Sequence, residues 1–279
     1  RDLHSFPTRR SSDLLDSVAD PEAVKTAVDG ADAVVHLAAL GSVPRSVKDP
    51  VSSHVANLDG TLVVLEAARK TGAHVVFASS SSVYGANTKL PKSESDWTRP
   101  MSPYAATKLG AEGYVLAYQF AYGLPTLAFR FFNVYGPRQS ANHAYAAVIP
   151  KFFDAALEGR PVQIEGDGLQ SRDFTFVDTV CAVLTDAVKG RVSHPDPVNL
   201  AYGSSTDLLG LLDLMENELG GDISRQHVEP RVGDVRASQA DGSLVQALFP
   251  HLRPTSLQDG LAATASWFKA TRQSGAVVE

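Results

Sequence analysis

The segment SPYAATK (102–108) places a tyrosine and a lysine four residues apart, Tyr104 and Lys108. Its Ser-Pro opening reads as a helix start, because serine caps well and proline suits the first helical position. Residues four apart on a helix share a face, so a phenol and an ammonium would stand side by side. A free tyrosine ionises near pH ~10 and is a poor base at neutral pH. An adjacent ammonium favours the phenolate and brings it into working range. Alone, the pair is weak evidence, since such spacings commonly decorate helix surfaces. A second stretch strengthens it. ASSSSVYG (78–85) closes an apolar run with four consecutive serines. Ser80 or Ser82 could hold a substrate hydroxyl beside Tyr104, or simply serve nearby backbone.

Alternating elements must position these residues. DPEAVKTAVDG (20–30) has an N-cap aspartate, a proline at the first helical position and a terminal glycine. The apolar run 31–40 reads as a buried strand. A helix from Asp49-Pro50 to Gly72, a strand 73–80, a helix from Ser102-Pro103 to near Gly123 and a strand 125–132 follow. Fully apolar strands between helices mean an α/β fold, a doubly wound parallel sheet covered on both faces. Such sheets bind ligands beyond the carboxyl ends of their strands, where HLAAL, ASSSSVYG and FFNVYGPR fall. A helix at about 144–158, a strand 161–164, helices at 207–220 and about 256–271, and a return to the sheet at 174–188 complete the pattern. The expected division is a dinucleotide-binding unit, 15–132 plus 174–201, and a smaller substrate unit, 133–173 plus 202–279.

The chain has 279 residues, 44% of them hydrophobic, and a net charge of −6. That balance speaks against nucleic acid, which asks for a basic face. No apolar run is long enough to span a membrane. The single cysteine, Cys181, cannot form an intramolecular disulfide, which fits a reducing cytoplasm, and it reads as a small buried helix residue. No metal site is expected.

With serine, tyrosine and lysine in this order, the chain resembles the extended short-chain dehydrogenase/reductase family of NAD-dependent nucleotide-sugar epimerases and dehydratases. The resemblance runs from about Ser17 to Phe268 and is carried by HLAA (36–39), NLDGT (57–61), SSSSVYG (79–85), SPYAATK, RFFNVYGPRQ (130–139), AYAAVIPKFF (144–153), SRDFTFV (171–177) and RVGDVRASQAD (231–241). The loop GSVPRSVKDP (41–50) together with AYAAVIPKFF looks most like UDP-N-acetylglucosamine 4-epimerases.

The resemblance implies roles. Tyr104 would be the base on the sugar 4-hydroxyl, Ser80 would align that hydroxyl, and Lys108 would bond the nicotinamide ribose and lower the tyrosine pKa. Val18 would touch the adenine of NAD. Leu37, Ala38, Ala39 and Leu40 would line the dinucleotide, with Asn57 and Phe132 near it. Asn133, Arg172 and Arg231 would hold the UDP diphosphate, and Asp234 the uridine ribose. Ser82, Val148 and Ser238 would complete the UDP-sugar pocket, Ser238 facing the C2 substituent. Related enzymes pair through the helices at 103–122 and 50–71, so a homodimer is expected. Two alternatives remain beside a 4-epimerase. A 4,6-dehydratase or UDP-glucuronate decarboxylase is one, although dehydratases carry an acidic pair where Ser81 and Ser82 stand. A cofactor-binding relative without turnover is the other, although such relatives commonly lose the tyrosine or lysine.

Family members open with a strand, a Gly-rich turn and a helix, and no such turn precedes residue 40. RDLHSFPTRRSSDL (1–14) looks like the in-frame translation of a sequencing adapter. It is therefore read as a non-native tail replacing at least one βαβ unit. On that reading the chain as written would be an inactive fragment that binds NAD weakly or not at all.

Overall fold

The structure is a computed structural model that describes residues 14–141, 146–230 and 236–273. The adapter-like stretch up to residue 13, and Arg231 and Asp234, lie outside the described residues. Along the chain come helix α1 (Pro21–Val28), strand β1 (Ala33–His36), helices α2 (Val43–Lys48), α3 (Pro50–His54) and α4 (Gly60–Thr71), strand β2 (His74–Ser80), helix α5 (Pro103–Tyr122) and strand β3 (Thr126–Phe131). Next are β4 (Asn133–Tyr135), α6 (Val148–Leu157), β5 (Val162–Glu165), β6 (Ser171–Arg172), β7 (Phe174–Phe176), α7 (Val177–Lys189) and β8 (Val198–Leu200). Last are β9 (Thr206–Asp207), α8 (Leu208–Leu219), β10 (Arg225–Val228), α9 (Ser243–Leu248) and α10 (Leu257–Gln273).

The main sheet has the order β1-β2-β3-β8, all parallel. Alternation along β2 explains why both faces are covered. Val75 and Phe77 point to one layer with Leu65 of α4 and Ala111 and Val115 of α5. Val76 points to the other with Val180 and Val183 of α7. Among the described residues β1 has a strand partner on one side only, and Val35 on it is exposed.

A second core gathers Tyr135 and Phe176 from the paired strands β4 and β7, Phe153 of α6, Leu211 and Met215 of α8, and Phe268 of α10. Two segments fall on the other side of the expected division. Phe174 and Phe176, assigned to the dinucleotide unit, pack in this second core. Val245 and Phe249, assigned to the substrate unit, pack on the main sheet beside Phe129 and Leu200. Apolar runs show that a segment is buried; they do not show against which layer.

The helix expected from 49 to 72 is interrupted. Between α3 and α4 residues Val55–Asp59 form a π turn, a widened ladder of the kind often found at functional sites. The loop before it also holds α2, which Ser42 starts by accepting a hydrogen bond from Arg45 N at 3.1 Å. Cys181, expected to be buried, is exposed on α7. Among the described residues no helix is long and apolar enough to cross a membrane.

One buried ion pair joins β3 to α5. Arg130 Nη2 lies 2.7 Å from Glu112 Oε1 and Nε 3.0 Å from Oε2, with the two side chains 5% and 3% exposed. Ser79 Oγ donates to the same carboxylate at 2.6 Å. The guanidinium also donates to Glu94 O at 3.2 Å and lies 4.7 Å from the Tyr84 ring centre. Buried charges persist only when paired and hydrogen-bonded in this way.

Candidate active site

Tyr104 sits in the first turn of α5, where Ser102 Oγ caps Ala105 N at 3.2 Å. Its own backbone N–H, one of the orphan donors of a helix start, is taken by the buried Ser46 Oγ at 3.0 Å. This contact docks α2 against the tyrosine, and nothing in the sequence signalled Ser46. Ser80 closes β2, and its hydroxyl is near enough to the Tyr104 phenol to act on it. Its Oγ accepts from Ser82 N at 3.2 Å and from Ser82 Oγ at 2.9 Å. The Ser80 proton is thereby left to point towards the phenol oxygen or a ligand hydroxyl.

Burial pushes the Tyr104 phenol above its ordinary value, and the Ser80 hydrogen bond pulls it partly back. The Lys108 ammonium donates to Ala78 O at 2.7 Å, over the Phe77 ring at 5.1 Å. Burial brings Lys108 down to about 8. Near it, His36 on β1 hydrogen-bonds Thr61 Oγ1 at 3.0 Å, and that hydroxyl donates to Asn57 O at 2.6 Å. Thr61 therefore accepts from His36 Nε2–H. Burial, and then the charge of Lys108, push His36 down to about 4, so the ring is neutral at physiological pH.

The residues expected along the dinucleotide divide. Leu37 and Ala38 are exposed beyond the carboxyl end of β1, and Ala39 and Leu40 are half-buried. Val18 is half-buried against α4, where a Cβ on Gly60 would come within 2.8 Å of its Cγ2. Asn57 is buried, and its amide is taken up by protein. Oδ1 accepts from Leu40 N at 2.7 Å, and Nδ2 donates to Thr107 Oγ1 at 3.1 Å. From within the π turn it thus braces the turn after β1 against α5.

A cleft of about 800 Å³ opens along the second core, lined by Tyr135, Ile149, Phe152 and Phe174 among others. Four expected residues line it: Phe132, Asn133, Val148 and Arg172. Asn133 Nδ2 donates to Asp173 O at 3.2 Å, and Arg172 Nη1 to Ser171 O at 2.8 Å. Lys151, Gln163 and Glu165 also line it, from an amphipathic helix and a short strand whose ligand-facing sides the sequence did not single out. Ser238 is half-buried, with its N–H on Ser171 O at 3.1 Å, one residue from Arg172. It does not line the cleft itself, and neither do Ser80, Ser82 and Tyr104.

The pattern of the NAD dependent epimerase/dehydratase family matches residues 7–201. The chain belongs to this family. The match opens inside the stretch read as a foreign tail. A UDP-N-acetylglucosamine 4-epimerase from Methanobrevibacter ruminantium, solved with UDP-N-acetylmuramic acid, is 36% identical and superposes with a TM-score of 0.87 over 92% of this chain and 83% of its own. A UDP-glucuronic acid 4-epimerase from Bacillus cereus, solved with UDP-glucuronic acid and NAD, is 28% identical, with a TM-score of 0.83 over 91% and 80%. The UDP-glucose 4-epimerase of Mycolicibacterium smegmatis is 35% identical over 87% of this chain and 77% of its own length.

The cofactor of the family is NAD. The residues around Tyr104 suit its nicotinamide and ribose. The Lys108 ammonium has three protons, and its bond to Ala78 O takes one, leaving donors for ribose hydroxyls. Among the described residues no glycine-rich turn stands beside β1 to receive a pyrophosphate.

His36 generates a pH prediction. Its folded pKa lies below the unfolded value, so its contribution is complete above pH 6.5 and is lost as pH falls towards about 4. Between pH 7 and pH 5 the wild type should lose about 2 kcal/mol more unfolding free energy than His36→Gln. Urea titrations at both values measure this, and equal losses would mean that His36 titrates as an exposed histidine.

Proposed function

We propose that the chain is a UDP-hexose 4-epimerase that interconverts UDP-N-acetylglucosamine and UDP-N-acetylgalactosamine through a 4-keto sugar. The observation that carries this reading is that Tyr104, in the first turn of α5, feels the Ser80 hydroxyl at the end of β2, with Lys108 one turn further along the helix. Tyr104 takes the proton of the sugar 4-hydroxyl and later returns it. Ser80 aligns that hydroxyl, with Ser82 holding Ser80 in place. NAD, when bound, supplies the hydride acceptor, and its ring charge offsets the burial that otherwise keeps the phenol protonated. Lys108 bonds the ribose. Leu37, Ala38, Ala39, Leu40 and Val18 lie along the dinucleotide. Asn133, Arg172 and Arg231 hold the diphosphate, for which an arginine fork is suited, and Asp234 takes the uridine ribose. The C4 hydride would pass to that hydride acceptor and come back from it, and inversion follows when the 4-keto sugar presents its other face before hydride and proton return. Dehydration at C5 and C6 lacks its acid and base, because Ser81 and Ser82 stand at those positions.

The test is conversion of UDP-N-acetylglucosamine by the chain with added NAD, followed by NMR. Tyr104→Phe should lower the rate by about 10²–10⁴ while leaving UDP-sugar affinity intact. Wild-type turnover in that variant would move the base elsewhere.

The sugar preference rests on Ser238. A small side chain facing C2 leaves space for an N-acetyl group, and a tyrosine there would leave room only for a hydroxyl. Ser238→Tyr should remove activity on the acetylated pair and spare UDP-glucose and UDP-galactose, because a clash discriminates sharply. Equal loss on both pairs would mean general damage, and no change would place Ser238 outside the pocket.

The working unit is proposed to be a homodimer. On α5, Tyr114, Phe120 and Tyr122 are 42%, 95% and 58% exposed, and Val51 of α3 is 71% exposed. A helix apolar on its outer face needs a partner, and a second copy offers the same face. Light scattering at micromolar concentration should give twice the chain mass, and a monomer would refute the pairing.

A further inference from the structure

Between β6 and β7 stands a single residue, Asp173, which is 0% exposed. Among the described residues its carboxylate has no cation as a partner. Oδ2 accepts from Gly203 N and from Ala240 N, both at 3.0 Å, and Oδ1 accepts from Ser204 Oγ at 2.8 Å. Its backbone oxygen accepts from Asn133 N and from Asn133 Nδ2, both at 3.2 Å. Four chain segments therefore meet at one residue: β4, the β6–β7 strand, the loop after β8, and the stretch at 236–241.

A carboxylate wholly removed from water is costly unless donors surround it, and a well-packed apolar residue is often as stable in such a place. Two of the four segments that Asp173 joins, β4 and the β6–β7 strand, line the cleft. Asn133 hangs on its carbonyl, and Arg172 precedes it. Ser238 lies two residues before Ala240, and its own N–H is on Ser171 O at 3.1 Å. Lys92 grips the same stretch from the other side, its N–H on Gln239 O at 2.8 Å and its carbonyl on Asp241 N at 2.7 Å. Ser238 thus opens a short run whose next three residues are held by Asp173 and by Lys92.

We propose that Asp173 is a positioning residue that sets the segment bearing Ser238 against the residues expected to hold the diphosphate, Asn133 and Arg172. It fixes the distance between the sugar end and the phosphate end of the site without touching the ligand. This role rests on the nucleotide-sugar reading above.

Calorimetry with UDP and with UDP-N-acetylglucosamine tests it, alongside thermal melting of each variant. Asp173→Ala leaves two buried N–H groups without an acceptor and frees the Ser238 stretch. It should weaken UDP-N-acetylglucosamine binding about tenfold and UDP binding less than about threefold. Asp173→Asn keeps one oxygen for both N–H groups, and its amide can donate to Ser204 Oγ, so it should bind both ligands within about twofold of wild type. If Asp173→Ala does not fold, Ser204→Ala, at an exposed position, should give a loss of about threefold confined to the sugar nucleotide. Unchanged affinities in a folded Asp173→Ala, parallel losses on both ligands with a lowered melting point, or an unaffected Ser204→Ala beside an unfolded Asp173→Ala would each overturn the role. A wild type that binds neither ligand would overturn the nucleotide-sugar reading, and this role with it.

Discussion

A guanidinium and a carboxylate face each other in the interior where β3 packs on α5, and the site depends on their being matched. Arg130 and Glu112 are nearly devoid of solvent, so neither charge is tolerable without the other. Their pairing fixes the height of α5 relative to the sheet. Ser79 completes the carboxylate's shell, which pins the end of β2 at the same level. Ser80 is the next residue along that strand, and Tyr104 lies on the pinned helix. The charge pair, two turns further along α5, therefore helps to set the level of Tyr104 relative to Ser80.

The same burial that organises the site also sets its protonation. The Tyr104 phenol is pushed up, Lys108 is brought down, and His36 is held neutral. Each shift has the sign that desolvation gives, charged forms being disfavoured. At neutral pH the Tyr104 phenol is thus held protonated, whereas Lys108, brought only to about 8, keeps its charge.

The cleft and the tyrosine belong to different layers. Arg172 and Asn133 extend from short strands of the second core, whereas Ser80, Tyr104 and Lys108 lie at the end of the main sheet. A sugar nucleotide is long enough to span such a division, with its diphosphate on one side and its hexose on the other. Joining the layers are polar clamps, Asp173 on one flank and Lys92 on the other, because loops crossing between two cores expose backbone groups that must be satisfied.

The fold class was legible in the sequence because buried parallel strands leave unbroken apolar runs and helices between them announce their caps. The placement of Tyr104 and Lys108 on a capped helix and of Ser80 at a strand end was legible for the same reason. Periodicity did not reveal the π turn at Val55–Asp59, and with it the inward aim of Asn57, since a widened turn leaves the local apolar pattern almost unchanged. Nor could it show that Phe176 packs in one core and Val245 in the other, because an apolar residue carries no address. The partner of Lys108, the clamp on Tyr104 N by Ser46 and the convergence on Asp173 are contacts between residues 30 to 67 positions apart. Sequence determined which groups could do the chemistry; only the tertiary structure decided which of them touch, because hydrogen bonds and desolvation depend on distance in space and local spacing does not encode it.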